Sequence, residues 1–135
     1  MSNQAIHDYL IRVPAAFFSM RETSKFTPHE GAGEIRITKN FARHLGQMVN
    51  TPRGEALITC EEQIEEVQNA LRSHVGLKWG SVDPEDSVRN NQSLNCEGML
   101  MSVWDYGHRQ ETPIRFWIIT DPSWAVTTIL LPEDY

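Results

Sequence analysis

Between residues 61 and 75, Ile64, Val67, Ala70, Leu71 and Val75 recur at the 3.6-residue spacing of a helix, with Glu65, Glu66, Gln68 and Arg72 on the water-facing side. The pattern predicts an amphipathic helix. Thr59 and Glu62 stand ahead of it at capping-box spacing, and Gly76 is placed to end it. Asp83-Pro84 reads as a second helix start, a cap residue followed by a residue with a preset φ, and the helix then runs to Leu94 with Val88 and Leu94 inward. Thr51-Pro52 carries the same signal and predicts a short helical turn through Leu57.

After Gly98 the period changes. Met99–Tyr106, Ile114–Thr120 and Ala125–Leu131 read as three strands, parted by short links that carry Gly107, Pro113 and Asp121-Pro122-Ser123. Links this short favour antiparallel neighbours. Phe116-Trp117-Ile118-Ile119 is apolar without alternation, which predicts a strand covered on both faces. Two helices cover one face, so the other calls for the segment of residues 1–50 or for a second subunit. Earlier in the chain, Glu34–Thr38 alternates with period two, as in a half-exposed strand. Tyr9–Val13 reads as a strand stopped by Pro14 or as the end of a short helix, and Phe26–Gly33 as a loop. The expected fold class is α+β: helices packed on an antiparallel sheet that contains a C-terminal three-stranded meander, in one domain spanning residues 1–135.

Composition narrows the reading only a little. The 135 residues are 40% apolar and 22% charged, enough for one core. That content excludes a disordered chain, and two cysteines exclude a disulfide scaffold. With no apolar run approaching the roughly 20 residues of a membrane span and no basic start of a secretory signal, the expected location is the cytoplasm.

The net charge of −6 is uneven: residues 1–54 carry seven bases and four acids, and residues 55–135 five bases and fourteen acids. The bases never gather into a run, which argues against nucleic acid as a partner and for two oppositely charged parts, or subunits, meeting each other. A homodimer is the expected state, with a protein or small-molecule partner left open.

Candidate chemistry is sparse. His7, His29, His44, His74 and His108 show no paired ligand spacing, and Asp83-x-Glu85-Asp86 is explained as a helix start, so neither metal nor cofactor is expected. Gly31-x-Gly33 lacks the rest of a phosphate loop, and no nucleophile elbow occurs. His74, at the end of the long helix, is the one titratable group of interest. Its structural reading is a helix-end imidazole favoured by the dipole and bonded to the last carbonyls. Its functional alternative is a general base in a small ribonuclease-like enzyme. Trp104 and Trp117 fall within strands and are assigned to the core. Trp79 and Trp124 fall at element junctions, where an indole anchors a loop or faces a partner, and they are the candidate binding residues.

Several of these residues fall into a longer pattern: Leu45-Gly46-Gln47-Met48-Val49-Asn50-Thr51-Pro52, His74, Trp79-Gly80, Asp86 and Asn90, Trp117-Ile118-Ile119-Thr120, and the closing Thr127-Thr128-Ile129-Leu130-Leu131-Pro132-Glu133-Asp134-Tyr135. Over residues 45–135 the chain resembles a family of small plasmid-related proteins carried on mobile elements, with residues 1–44 as an N-terminal extension. The resemblance implies an accessory protein that acts by binding, and it supplies no activity. Leu77-Lys78 stands where the family has Gly-Asp, and Ser123-Trp124-Ala125 where it has Asp-Arg-Ser, so charged groups of the family are missing here. A purely structural, self-associating protein is the third reading.

Overall fold

The computed structural model describes residues 10–12, 33–52, 54–58, 61–107 and 112–135. Its centre is a five-stranded sheet. The strands are β1 (Leu10–Arg12), β2 (Glu34–Thr38), β5 (Leu100–Tyr106), β6 (Ile114–Thr120) and β7 (Val126–Leu130), in the order β1-β2-β7-β6-β5. A separate hairpin joins β3 (Gln47–Thr51) to β4 (Gly54–Ile58). The helices are α1 (Lys39–Leu45), α2 (Glu61–Val75) and α3 (Pro84–Ser93). The architecture is α+β.

β5, β6 and β7 pair antiparallel in chain order, as short links require, but they are not a free-standing meander. β2 lies parallel to β7, with Glu34 opposite Val126 and Ile37 opposite Ile129, so the expected antiparallel sheet is in fact mixed. Gly33 makes this docking possible. Its φ is +66° and a Cβ there would lie 2.3 Å from the Ala125 carbonyl oxygen, while the next amide, of Glu34, donates to that oxygen at 2.8 Å. Residues 34–45 are therefore an integral strand and helix of the sheet and core.

One face of the sheet carries the core. Direct register partners Ser102, Ile118, Ile129 and Ile37 form a row across β5, β6, β7 and β2, and all four are buried. Ile64, Val67, Ala70 and Leu71 of α2 close over that face, as their spacing predicts, with Phe41, Ala42 and Leu45 of α1 beside them. Phe41 stacks on Phe116 at 4.8 Å and meets Tyr106 edge-on. Gln68 departs from the expectation of a water-facing residue and is buried.

On the opposite face, Val103, Ile119 and Leu130 are buried, whereas Trp117 is half-buried and touches the ring of Tyr135. Trp104 is likewise half-buried against the core, so the strand tryptophans are less enclosed than their apolar neighbours imply.

Three local readings need correction. Thr51 and Pro52 lead into the β3–β4 link and not into a helix, since Pro suits the second position of a tight turn as well as the first turn of a helix. Thr59 and its capping box lie outside the described residues. At the other end of α2 the left-handed residue is Leu77 (φ 66°), not Gly76. Leu77 N–H donates to the His74 carbonyl and Lys78 N–H to that of Ser73, which is a Schellman closure. In α3 the expected inward Val88 is 54% exposed and Asn90 is the buried residue. Asp83 holds the N-cap position of α3 without a side-chain capping bond.

Candidate functional site

α2 delivers His74 to the sheet in its last turn, one residue before its end, where the 3.6-residue stripe that buries Val67 and Leu71 continues. The ring is 1% exposed. Its Nδ1 lies 2.7 Å from Ser102 Oγ on β5 and its Nε2 lies 2.8 Å from Thr120 Oγ1 on β6. Thr120 Oγ1 is in turn 2.8 Å from Thr127 Oγ1 on β7, and Trp104 Nε1 donates to Ser102 Oγ at 2.6 Å. Trp79 meets the imidazole edge-on, with ring centroids 5.8 Å apart.

One proton arrangement makes every link and also gives the Ser102 hydroxyl proton an acceptor. Trp104 is donor-only, so Ser102 accepts from it and passes its own proton toward Nδ1. Nε2–H then donates to Thr120, and Thr120 donates to Thr127. Desolvation pulls the imidazole from 6.5 down to about 4, so the ring is neutral at neutral pH. The structural reading of His74 thus changes in kind. It is not a charged group serving the helix dipole or the last carbonyls, which are taken up by the amides of residues 76–78. It is a neutral link tying one helix to three strands.

The arrangement limits the chemistry. Both ring nitrogens are engaged, Ser102 and Thr120 are 0% exposed, and no carboxylate among the described residues orients the ring. A general base needs a free nitrogen within reach of a substrate proton.

Trp79-Gly80 and Asn90 of the sequence pattern converge on the same strand. Asn90 makes a two-point contact with the edge of β5: Nδ2 donates to the Met101 carbonyl at 2.7 Å and Oδ1 accepts from the Met101 amide at 2.9 Å. The side-chain amide here stands in for a peptide of a missing neighbour strand. Two residues on, the Val103 amide donates to the Trp79 carbonyl at 3.1 Å and its carbonyl accepts from the Ser81 amide at 2.9 Å. Gly80 permits this approach. Its φ is +64° and a Cβ would fall 2.0 Å from the Val103 carbonyl oxygen and 3.1 Å from the Trp104 ring. His74, Trp79-Gly80 and Asn90 therefore clasp three consecutive residues of β5, namely Ser102, Val103 and Met101.

The two candidate binding tryptophans lie apart in role. Trp79 is 8% exposed and its indole N–H donates to Asn91 Oδ1 at 3.3 Å, so it acts within the free chain as a packing residue. Trp124 is half-buried at the β6–β7 turn, where Ser123 (φ 73°) and Trp124 (φ 60°) are both left-handed. Its N–H donates to the Gly98 carbonyl at 2.8 Å and the Ser123 amide to the Glu97 carbonyl at 2.8 Å, fastening this turn to the one before β5. In the same turn, burial raises the Asp121 carboxyl, with Arg36 opposing. At the closing motif, Asp134 accepts from Thr38 Oγ1 at 2.6 Å and from Asn40 Nδ2 at 2.8 Å, holding the last turn to the start of α1.

Ser102, Thr120 and Thr127 were not legible as partners of His74. Each is a small polar residue at an inward register position, a weak signal that only the pairing of β5, β6 and β7 turns into a network. Among the described residues no three His, Cys, Asp or Glu side chains converge as metal ligands, and no helix is long and apolar enough to cross a membrane. His7, His29 and His108 lie outside the described residues. Compared with protein-family models, with curated proteins and with solved structures, the chain finds no match.

Proposed function

We propose that the protein is an accessory binding protein of a mobile genetic element, without catalytic activity of its own. One observation supports the absence of chemistry above the others. The single imidazole that the sequence offers as a base is buried, neutral and held at both nitrogens by hydroxyls. The mobile-element setting rests on the resemblance in the closing Thr127–Tyr135 segment and in Trp79-Gly80.

The protein acts in the cytoplasm as a homodimer. Its half-buried Trp117 and 67%-exposed Tyr135, side by side on the second sheet face, supply an aromatic surface of the kind that protein interfaces favour. Trp124 adds a second aromatic contact at the end of the sheet. Nucleic acid is not the partner, because the chain is acidic and three of the described bases, Arg36, Arg89 and Arg115, each stand within 4 Å of a carboxylate.

The test has two arms. Purified protein and the His74→Ala variant are incubated with single- and double-stranded RNA and DNA, with and without Mg²⁺, and the mass is measured by light scattering at low micromolar concentration. The proposal expects no cleavage and a dimer mass. Cleavage by the wild type that the alanine variant loses would establish the ribonuclease-like reading in its place. A strict monomer would remove self-association.

A further inference from the structure

His74 is the only imidazole that the described helices send into the layer between α2 and the sheet. The facing positions of β5 are Leu100, Ser102, Trp104 and Tyr106, those of β6 are Ile114, Phe116, Ile118 and Thr120, and those of β7 are Thr127 and Ile129. From α2 come Ile64, Val67, Ala70, Leu71 and the neutral Gln68. The charged groups of these elements lie elsewhere. Arg72 donates to Asn69, Glu65 is exposed, and Glu66 accepts from the Gly107 amide just past the end of β5, two turns of α2 before His74. Arg115 pairs with Asp105 at the far end of the β5–β6 ladder, Lys78 is exposed, and Asp121 lies beyond the end of β6 near Arg36. No carboxylate is placed to accept a second imidazole proton.

The hydroxyl network has no room for that proton either. With both ring nitrogens donating, Ser102 Oγ receives from His74 and from Trp104 together, and its own hydroxyl proton loses the acceptor it had at Nδ1. Ser102 is 0% exposed, so water does not replace that acceptor while the layers stay closed. Protonation therefore disfavours the closed layers, and the chain nearest to the ring decides where they open. The segment that follows His74 turns at Leu77 and then lays Trp79-Gly80-Ser81 along the free edge of β5, with the Trp79 ring against the imidazole and two backbone hydrogen bonds to Val103. Val103 is the immediate neighbour of Ser102, so the ring and the edge contact share one support.

We propose that His74 is a proton-sensitive latch: its protonation frees the Trp79–Ser81 segment from Val103 and uncovers the edge of β5, ahead of global unfolding. An uncovered edge presents unpaired N–H and C=O groups to which a second strand can add. The device is independent of whether the protein binds a partner or catalyses.

Amide hydrogen exchange on the full chain, expressed as protection factors so that intrinsic rates cancel, tests this at pH 7.5 and pH 5. With the ring at about 4 in the closed form and at its ordinary 6.5 in the open form, the opening equilibrium at the latch grows about thirtyfold over that interval. Protection at the Val103 and Ser81 amides is expected to fall by about that factor, while amides of the β6–β7 ladder change far less. In His74→Gln, which keeps a side-chain donor but does not titrate, the two amides are expected to lose the pH dependence. Should that variant fold poorly, the wild type suffices, by following the His74 ring signals by NMR alongside the exchange. Equal protection at both pH values, an imidazole titrating near 6.5 with the edge still closed, or the same pH response in His74→Gln would each overturn the latch.

Discussion

Replacing Asn90 by Leu removes the clasp on the edge of β5 while keeping side-chain volume close to constant. The wild-type amide is 3% exposed and makes two short hydrogen bonds to the Met101 backbone, at 2.7 and 2.9 Å. Each such bond contributes about 1 kcal/mol net, and a leucine there would also leave the Met101 N–H and C=O facing hydrocarbon, at about 1 kcal/mol or more apiece. Partial access of water to the half-buried Met101 reduces the second contribution. The expected loss is about 2–4 kcal/mol, a substantial part of the roughly 5–15 kcal/mol that holds a domain together. Urea unfolding followed by tryptophan fluorescence reads this as a midpoint lowered by about 1–2 M at unchanged slope. Asn91→Leu is the matched control, since Asn91 is exposed and accepts one longer bond, at 3.3 Å from Trp79. If Asn90→Leu lost no more than Asn91→Leu, the edge of β5 would not depend on a side-chain peptide mimic, and the reasoning would fail.

Leu77→Gly is expected to stabilise by about 0.5–1 kcal/mol, seen as a Tm raised by a few degrees, because a half-exposed leucine at φ 66° carries a left-handed penalty that glycine lacks; an unchanged or lower Tm would count against the Schellman closure. Ile118→Asp puts an unpaired carboxylate between Ser102 and Ile129 in the centre of the sheet and is expected to abolish cooperative thermal unfolding, whereas a soluble variant with wild-type Tm would refute the strand's position. Since the imidazole is lowered in the fold, its neutral form is favoured there: the stability it contributes is complete above pH 6.5 and lost as pH falls through about 4, a total of about 3 kcal/mol. Urea midpoints of wild type and His74→Gln across pH 7.5 to 4.5 should therefore converge toward the acid side, and parallel curves would sink the assignment.

The clearest sequence signals were local ones. The period of α2 reports on which of its residues meet an apolar surface, and Ile64, Val67, Ala70 and Leu71 are buried as that period requires. The unalternating Phe116–Ile119 run equally reports a strand enclosed on both faces, and Phe116, Ile118 and Ile119 are buried. The Glu34–Thr38 alternation holds through Ile37, with Ile35 and Ile37 inward, and breaks at Thr38, which is buried as well. α1 escaped notice because seven residues with three inward side chains give too short a period to separate from a loop. The Thr51-Pro52 signal misled because proline presets one dihedral that helices and tight turns share; pairing with residues 54–58, which no local window sees, selects the turn.

The candidate site was legible in its residues and illegible in its relations. His74, Trp79, Gly80 and Asn90 stand out along the chain, yet nothing in their spacing says that they meet at Met101, Ser102 and Val103. Nor could the parallel placement of β2 beside β7 be read, since a strand's sequence records which face is apolar and not which neighbour it takes. The same limit governs the charge state of His74. A histidine near a helix C-terminus favours its proton when solvent reaches it and loses it when sheet hydroxyls replace the solvent. Periodicity determined that α2 would bury one face; the register of β5, β6 and β7 decided that Ser102, Thr120 and Thr127 would wait beneath it. Local spacing acts through neighbours a few residues away, whereas burial and hydrogen-bond partners come from strands up to 53 positions further along the chain, and only folding brings those together.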